Sequence, residues 1–234
     1  MGGGMDMKNK LFAADPVYRE QMEGYTLKDS ALALAYWALW MTMYYFMGQV
    51  MSRTGQYYGD IVNIGLMLIA VLLCIRKLSS TGVTLRNLKP SLLMGLAIGT
   101  VLLLAIGIVP GILSGASLLP VGKILSNVFY YVIIIGLAEE IGFRGFIQPR
   151  LYPLLKKEWL TVIAGGVLFV LMHIPFQMGA KGMSFAEYWP TFIENAPIQF
   201  FWHLVSTWLY RRYGNIAGAA LFHGMLDLSM GIFG

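Results

Sequence analysis

The chain has 234 residues, of which 57% are hydrophobic and only 12% are charged. A soluble domain carries about twice that share of charged residues, so the composition excludes an ordinary soluble protein and indicates a polytopic α-helical membrane protein. The net charge of +5 requires no nucleic-acid partner, because basic residues in cytoplasmic loops account for it. The single cysteine, Cys74, excludes an intramolecular disulfide.

Residues 1–30 are polar and are predicted to be a cytoplasmic N-terminal segment, followed by a membrane domain over residues 31–234. By the criterion of about twenty apolar residues for one crossing, the domain is all-α with about seven transmembrane helices. Pro149 and Pro153 are expected to end the fourth span. The predicted spans are about 31–51, 59–76, 91–113, 124–147, 159–178, 191–210 and 215–233.

The connections between these spans alternate in basic charge. Four of them, counting the N-terminal segment, hold Lys8, Lys10, Arg19 and Lys28, then Arg76, Lys77, Arg86 and Lys89, then Arg150, Lys156 and Lys157, then Arg211 and Arg212. The other connections hold only Arg53, Lys123 and Lys181. This asymmetry predicts a multi-pass protein of a cell (plasma) membrane with its N-terminus in the cytoplasm and its C-terminus outside.

Several glycines recur at the four-residue spacing that lets membrane helices approach each other closely. These pairs are Gly95 and Gly99, Gly107 and Gly111, and Gly214 and Gly218.

The fourth predicted span holds three ionisable residues in the motif Glu139-Glu140-x-x-x-Arg144. On insertion scales, an ionised side chain in a membrane helix costs about 2.5–3.5 kcal/mol, so such residues are functional candidates by default. Glu140 and Arg144 share one helix face and are expected to form a charge-assisted pair. Glu139 is rotated by about 100° from Glu140 and has no local partner, which makes it a candidate general base for activating water. The alternative is a structural ion pair that joins helices.

The three histidines all lie in predicted spans: His173 in the fifth, His203 in the sixth and His223 in the seventh. His223 and Asp227 stand four residues apart and share a helix face. Counted from the midpoints of their spans, Glu139, His173, His223 and Asp227 lie at similar depth and can meet in one pocket.

A histidine in a membrane helix is most often an interhelical hydrogen-bond partner. Glu194 and His203, both on the sixth span, are interpreted in this way as structural or cavity-lining residues. The combination of carboxylates, an arginine and histidines on three helices is stronger than any single residue, and it favours chemistry on water.

Two chemistries fit these residue types. In the first, Glu139 takes a proton from water with help from His173, while His223 and Asp227 stabilise the oxyanion of an attacked amide carbonyl. In the second, Glu139, His173 and His223 hold a divalent metal such as zinc. The sequence has no helical His-Glu-x-x-His pairing that would favour zinc, so no metal or other cofactor is expected.

The motifs Glu139-Glu140-x-x-x-Arg144, Phe169-x-x-x-His173 and His223-x-x-x-Asp227, in this order on successive helices, resemble those of the CPBP family, the CAAX protease and bacteriocin-processing group also called Abi. The resemblance covers about residues 124–233. It implies an intramembrane endopeptidase with its site in a conical or bundle-like cavity among the helices. The expected partners are membrane lipids and a peptide or lipidated protein substrate.

By motif position, the resemblance implies that Glu139 activates water, that Glu140 pairs with Arg144 and that His173 assists. His223 and Asp227 would form the oxyanion site. Prenyl-protein members of the eukaryotic type carry Asn at the position of Asp227, whose carboxyl group must be protonated to donate, or must instead orient His223. The short, seven-span chain indicates a prokaryotic relative.

Two other functions compete with proteolysis. Buried Glu, His and Asp residues also line transporters and proton relays, although the chain has no internal duplication of the kind common in transporters. A non-catalytic bacteriocin-immunity protein or scaffold would bind a partner in the membrane without using Glu139 as a base.

Overall fold

A computed structural model describes residues 12–234, which form helices joined by short connections and contain no β-strand. Residues 1–11, with Lys8 and Lys10 of the predicted N-terminal segment, lie outside the described part. The main helices are α1 (Pro16–Glu23), α2 (Leu27–Thr54), α3 (Gly59–Leu73), α4 (Leu88–Leu113), α5 (Val121–Leu155), α6 (Glu158–Lys181), α7 (Phe185–Tyr213) and α8 (Ala217–Leu228).

Local sequence signals set the ends of these helices. The Asp15 side chain caps α1 by accepting hydrogen bonds from the backbone N–H groups of Val17 and Tyr18. Capping boxes begin α2 and α7, because Thr26 and Ser184 each stand three residues before an acidic residue. The α3 helix ends at Cys74, and the chain then bends by 114° into a 3-10 helix over Ile75–Thr81.

Three helices, α4, α5 and α6, are long and apolar enough to cross a membrane, and a fourth is added if α3 and the bent Ile75–Thr81 segment form one span. The predicted spans 31–51, 191–210 and 215–233 also fall on helices, namely α2, α7 and α8. However, α8 has only 12 residues, and α2 is rich in tyrosine and tryptophan, which lower its hydropathy. The described residues therefore establish an all-helical protein with apolar helices, and the count of seven crossings stays a prediction.

Helical turns continue past Pro149 and Pro153 to Leu155, with a break at Leu151 between Arg150 and Tyr152. The expectation that these prolines end the fourth membrane span stays a prediction. The preceding residues Ile141–Ile147 form wide π-helical turns. Such turns already depart from the regular pattern of backbone hydrogen bonds, which makes a nearby proline easier to accommodate.

The connections that carry most of the basic residues lie together at one end of the bundle, which we call the basic end (residues 12–26, 74–90, 150–158 and 211–216). Asp15 is central to it, since its backbone N–H donates to the carbonyl of Arg211 and its carboxylate pairs with Arg86. Arg211 also pairs with Glu158 at the start of α6. The alternation of loop charges thus corresponds to a real end of the fold, while its orientation in a membrane stays a prediction.

Helix α8 is held close to α4 through small residues. A Cβ atom on Gly95 would lie 2.2 Å from the carbonyl oxygen of Gly218, and one on Gly99 would lie 2.8 Å from the sulfur of Met225. At Gly95 the clash would be with backbone, so only glycine permits this approach there, as the four-residue spacing predicts. The contact fixes the position of α8, which carries His223 and Asp227.

Candidate active site

A cavity of about 690 Å³ opens between the helices and collects polar residues from α2, α3 and α5–α8. Its ionisable lining includes Glu139, Arg144, His173, His223 and Asp227. The remaining wall is largely aromatic and aliphatic, and includes Tyr57, Ile106, Tyr130, Tyr131, Ile135, Ile198, Trp202 and Met230. The cavity therefore joins charged groups to an apolar surface.

Glu139 lies on α5 with only 7% of its surface exposed. The hydroxyl of Tyr44 on α2 is 3.2 Å from Glu139 Oε1 and 2.7 Å from Oδ1 of Asn63 on α3. Because a hydroxyl carries one proton, it donates to one of these two oxygens at a time. Tyr44 of α2 thus contacts the carboxylate, and Asn63 of α3 is the competing acceptor for its proton.

Glu140, the next residue, is fully buried and does not line the cavity. Its Oε1 lies 3.0 Å from Nη1 of Arg144, so the pair predicted from the four-residue spacing is present. The same Oε1 accepts a hydrogen bond of 2.9 Å from Nδ1 of His223, which is 83 residues further along the chain. Glu140 therefore links Arg144 to His223 as well as neutralising the arginine.

This hydrogen bond orients the imidazole of His223. With Nδ1 directed to Glu140, its Nε2 lies 3.5 Å from Oδ2 of Asp227 and 3.9 Å from Oε2 of Glu139. The ring thus stands among three carboxylates, with Nε2 between the two that line the cavity. The arrangement brings the first and third motifs together.

Phe169 connects the second motif to the other two. Arg144 stacks over its ring at 4.1 Å, and the rings of His173 and His223 lie 5.2 and 6.2 Å away. Nδ1 of His173 lies 3.0 Å from the carbonyl oxygen of Phe169. Since a carbonyl can only accept, this nitrogen carries the proton, and Nε2 of a neutral ring keeps its lone pair.

Glu194 and His203 lie outside this group. Glu194 is exposed on α7 and does not line the cavity. His203 is buried, and its Nε2 contacts the carbonyl oxygen of Val162 at 3.1 Å and the hydroxyl of Thr207 at 3.3 Å. His203 also does not line the cavity, so it joins α7 to α6 as a structural residue.

Tyr44 and Asn63 are the polar neighbours of Glu139 that sequence reasoning missed. Asn63 interrupts the apolar run of the second predicted span and is 1% exposed. A polar residue in the middle of an apolar span is a usable signal of an interior contact. Tyr44 gave no comparable signal, because α2 contains several tyrosines and tryptophans.

No group of three or more His, Cys, Asp or Glu side chains within residues 12–234 is arranged to hold a metal ion. Of the candidate ligands for the metal alternative, Glu139 and His223 lie 3.9 Å apart at their nearest atoms. His173 lines the same cavity, with Nδ1 directed to its own helix.

Residues 121–229 match the model of one protein family, Rce1-like, which is described as type II CAAX prenyl endopeptidase Rce1-like. This range contains all three motifs. Neither the curated proteins nor the solved structures include a significant match to the chain.

Proposed function

The match of residues 121–229 supports the assignment of this chain to the CAAX protease (CPBP) family, and on that basis we propose that it is an intramembrane endopeptidase. Its substrate would be a membrane-associated or prenylated, CAAX-type protein or a peptide precursor. The observation that carries the proposal is the cavity in which Glu139, His173, His223 and Asp227 adjoin an apolar wall. The chain would cross a prokaryotic cell membrane seven times, with a cytoplasmic N-terminus and an external C-terminus.

Glu139 acts in this proposal as the general base. Its carboxylate takes a proton from a water molecule, and the oxygen of that water forms a bond to the carbonyl carbon of the substrate amide. The hydroxyl of Tyr44 contacts Glu139 Oε1 at 3.2 Å and helps to position the carboxylate. His173 accepts a hydrogen bond from the same water through Nε2, since Nδ1 is held by the carbonyl of Phe169. Both groups line the cavity, so a substrate bound there would meet the activated water.

His223 and Asp227 stabilise the negative charge that develops on the former carbonyl oxygen. Nε2–H of a doubly protonated His223 donates to this oxygen, the carboxylate of Glu140 compensates the charge of the ring, and the carboxyl group of Asp227 lies beside Nε2. The carbon–nitrogen bond then breaks, and the proton held by Glu139 passes to the leaving amine. The products are a carboxylic acid and an amine.

The motif alone leaves two roles open for Asp227, and the contacts of His223 support one of them. Glu140 orients the ring from Nδ1, so Asp227 is not needed for that purpose. Asp227 lies on the cavity side at Nε2 instead. We therefore assign Asp227 to the oxyanion side of the site, where its protonated carboxyl group is a donor.

The test uses the full chain reconstituted in liposomes, with mass spectrometry of a peptide pool containing prenylated CAAX peptides, their unprenylated forms and short secreted-peptide precursors. Glu139→Gln is expected to reduce cleavage by about 10²–10⁴-fold, the contribution typical of a general base. Glu194→Gln is the matched control, because that carboxylate is exposed on α7 outside the cavity. A parallel sample contains a metal chelator.

Cleavage by the wild type that survives chelation, persists in Glu194→Gln and disappears in Glu139→Gln supports the proposal. Cleavage that persists in Glu139→Gln contradicts it. Loss on chelation favours the metal alternative instead. Ion flux into sealed liposomes without cleavage of any peptide favours the transporter alternative, and a phenotype independent of Glu139 favours the immunity protein.

A further inference from the structure

A second cavity, of about 630 Å³, lies at the basic end of the fold and takes no part in the proposed reaction. Its walls come from α1, from the end of α3 with the bent segment after it, and from Arg150 on α5. Among residues 12–234, the charged lining residues are Arg76, Lys77 and Arg150, opposed by Glu20 alone. The cavity therefore carries an excess of two positive charges over the residues that line it.

Arg150 is the buried member of this set, with 4% of its surface exposed. Its Nη1 donates to the carbonyl oxygens of Gly145 and Phe146 at 3.2 and 2.9 Å, and its Nη2 donates to Sγ of Cys74 at 3.0 Å. The guanidinium is also stacked between the rings of Tyr25 and Phe146, at 4.5 and 4.1 Å. All these partners are neutral.

No carboxylate of residues 12–234 forms an ion pair with Arg150. The charge of Arg150 acts on the nearby Asp29, but that carboxylate forms no ion pair with it and accepts from the backbone N–H and hydroxyl of Thr26 instead. Glu20 is exposed. Arg144, the other buried arginine of α5, has Glu140 as a counter-ion. A buried cation without a counter-ion is strongly destabilising, so the cavity beside Arg150 is suited to receive an anion.

The rest of the lining indicates what kind of molecule carries that anion. Leu72, Leu73 and Ile75 line the same cavity and are 50–67% exposed at the break after α3. An apolar rim at the end of a membrane helix, next to three cations, matches the boundary between the acyl chains and the headgroup of a lipid. A guanidinium also suits the oxygens of a phosphate group.

We propose that this cavity binds the phosphate group of an anionic phospholipid. The phosphate would lie against Arg150, Arg76 and Lys77, with the acyl chains running along Leu72 and Ile75. Binding would neutralise the buried guanidinium and hold the bent segment after α3 against α1 and α5. The proposal does not depend on proteolysis, because none of these residues lines the first cavity.

The test measures lipid binding by the full chain in detergent, by native mass spectrometry and by the thermal unfolding midpoint during titration. The probes are phosphatidylglycerol, phosphatidylcholine and inorganic phosphate at constant ionic strength. The variant is Arg76→Gln/Lys77→Gln, which changes two exposed residues and leaves the buried Arg150 in place. The control is Lys89→Gln/Lys157→Gln, which removes the same charge from exposed residues outside the cavity.

The expected result is a saturable rise of the unfolding midpoint with phosphatidylglycerol, together with one retained lipid, and a much smaller response to phosphatidylcholine. The Arg76→Gln/Lys77→Gln variant should need about tenfold more phosphatidylglycerol to reach half of the maximal shift in unfolding midpoint, because it lacks two charge-assisted contacts. The control should need the same concentration as the wild type. An equal response of both variants would overturn the proposal, since only net charge would then matter. Saturation by inorganic phosphate without any lipid effect would overturn the lipid assignment and identify a soluble phosphate site.

Discussion

Two arginine–carboxylate pairs in this protein have the same chemistry and different surroundings. Arg144 and Glu140 are 1% and 0% exposed at the wall of the first cavity, whereas Arg86 and Asp15 are 39% and 7% exposed at the basic end. In water, the charge of a lost partner is replaced by solvent, so an exposed pair contributes about 0–1 kcal/mol. A buried pair offers no such replacement, and breaking it leaves an uncompensated charge.

The comparison also separates function from stability. The buried pair contacts His223 through Glu140, so it positions a group of the proposed reaction. The pair at the basic end joins the start of α1 to the segment before α4, which affects how the helices assemble and not the contents of the cavity. Substitutions in the two regions should therefore differ in size and in the property that they change.

The largest effect is expected from Arg144→Ala. Removing the guanidinium leaves Glu140 buried without its cation and takes away the ring contact with Phe169. We expect a loss of about 3–5 kcal/mol in the free energy of unfolding, a low folding yield and reduced cleavage. Denaturant unfolding of the purified variant in detergent would measure the first of these quantities.

Arg144→Lys is the matched control for charge. It keeps the cation and loses the planar group that stacks on Phe169, so its unfolding free energy should lie between those of the wild type and Arg144→Ala. If Arg144→Ala were as stable as the wild type, the buried pair would behave like an exposed one, and the contrast between the two regions would fail.

Gly218→Ala tests the geometry of α8 without changing any charge. A Cβ atom at this position would lie 2.2 Å from the carbonyl oxygen of Ser91, so the backbones of α4 and α8 must separate. Overpacking of this kind costs about 1–3 kcal/mol, and the displacement of α8 should also reduce cleavage. Thermal unfolding and the cleavage assay measure the two effects.

Gly65→Ala is the control for this prediction. It makes the same substitution on α3, where no atom lies within 4 Å of the added Cβ. Alanine favours a helix over glycine by about 1 kcal/mol, so this variant should be as stable as the wild type or more stable. Equal destabilisation by both substitutions would show that the close contact between α4 and α8 is not the cause.

Tyr44→Phe is expected to have a smaller effect, which concerns activity more than stability. The substitution removes the hydroxyl beside Glu139 and keeps the ring, so the carboxylate loses one neighbour and Asn63 loses its partner. A hydrogen bond of this kind contributes about 1 kcal/mol, which corresponds to a decrease of about fivefold in kcat with little change in KM. Tyr45→Phe, at an exposed neighbouring position, should leave kcat unchanged. The same loss of kcat in both variants would exclude a specific role for Tyr44.

The parts of the site that depend on local geometry were predictable from the sequence. The pairing of Glu140 with Arg144 follows from the four-residue spacing on one helix, as does the proximity of His223 to Asp227. The glycine spacing on α4 likewise predicted a close helix contact, because that pattern describes one face of one helix.

The parts that depend on how helices rotate against each other were not predictable. The bond from His223 to Glu140 joins residues 83 positions apart, and hydropathy gives the depth of a residue without its direction. For the same reason His203, although its span was identified, lies outside the cavity, and the contribution of Tyr44 from the N-terminal half was missed. Helical turns run beyond residue 147 because Pro149 and Pro153 each stand in the first turn of a short α-helical segment, where a missing backbone N–H is tolerated.

The smallest effect is expected at the basic end, from Asp15→Asn, which keeps a capping oxygen for α1 and removes the charge that pairs with Arg86. Burial opposes the ionisation of Asp15, but the hydrogen bond and charge of Arg86 outweigh it and hold the pKa of the carboxyl group below its ordinary value of 3.8. Because the folded protein lowers this pKa, the stabilisation is fully present above about pH 4 and is lost as the pH falls through the lowered value. At pH 7 the variant should lose less than about 1 kcal/mol of unfolding free energy, with normal cleavage. Unfolding curves recorded at successively lower pH from pH 7 should converge for the two proteins once the pH is below the lowered pKa of Asp15. A difference that persisted below that pKa would mean that Asp15 acts through something other than its charge.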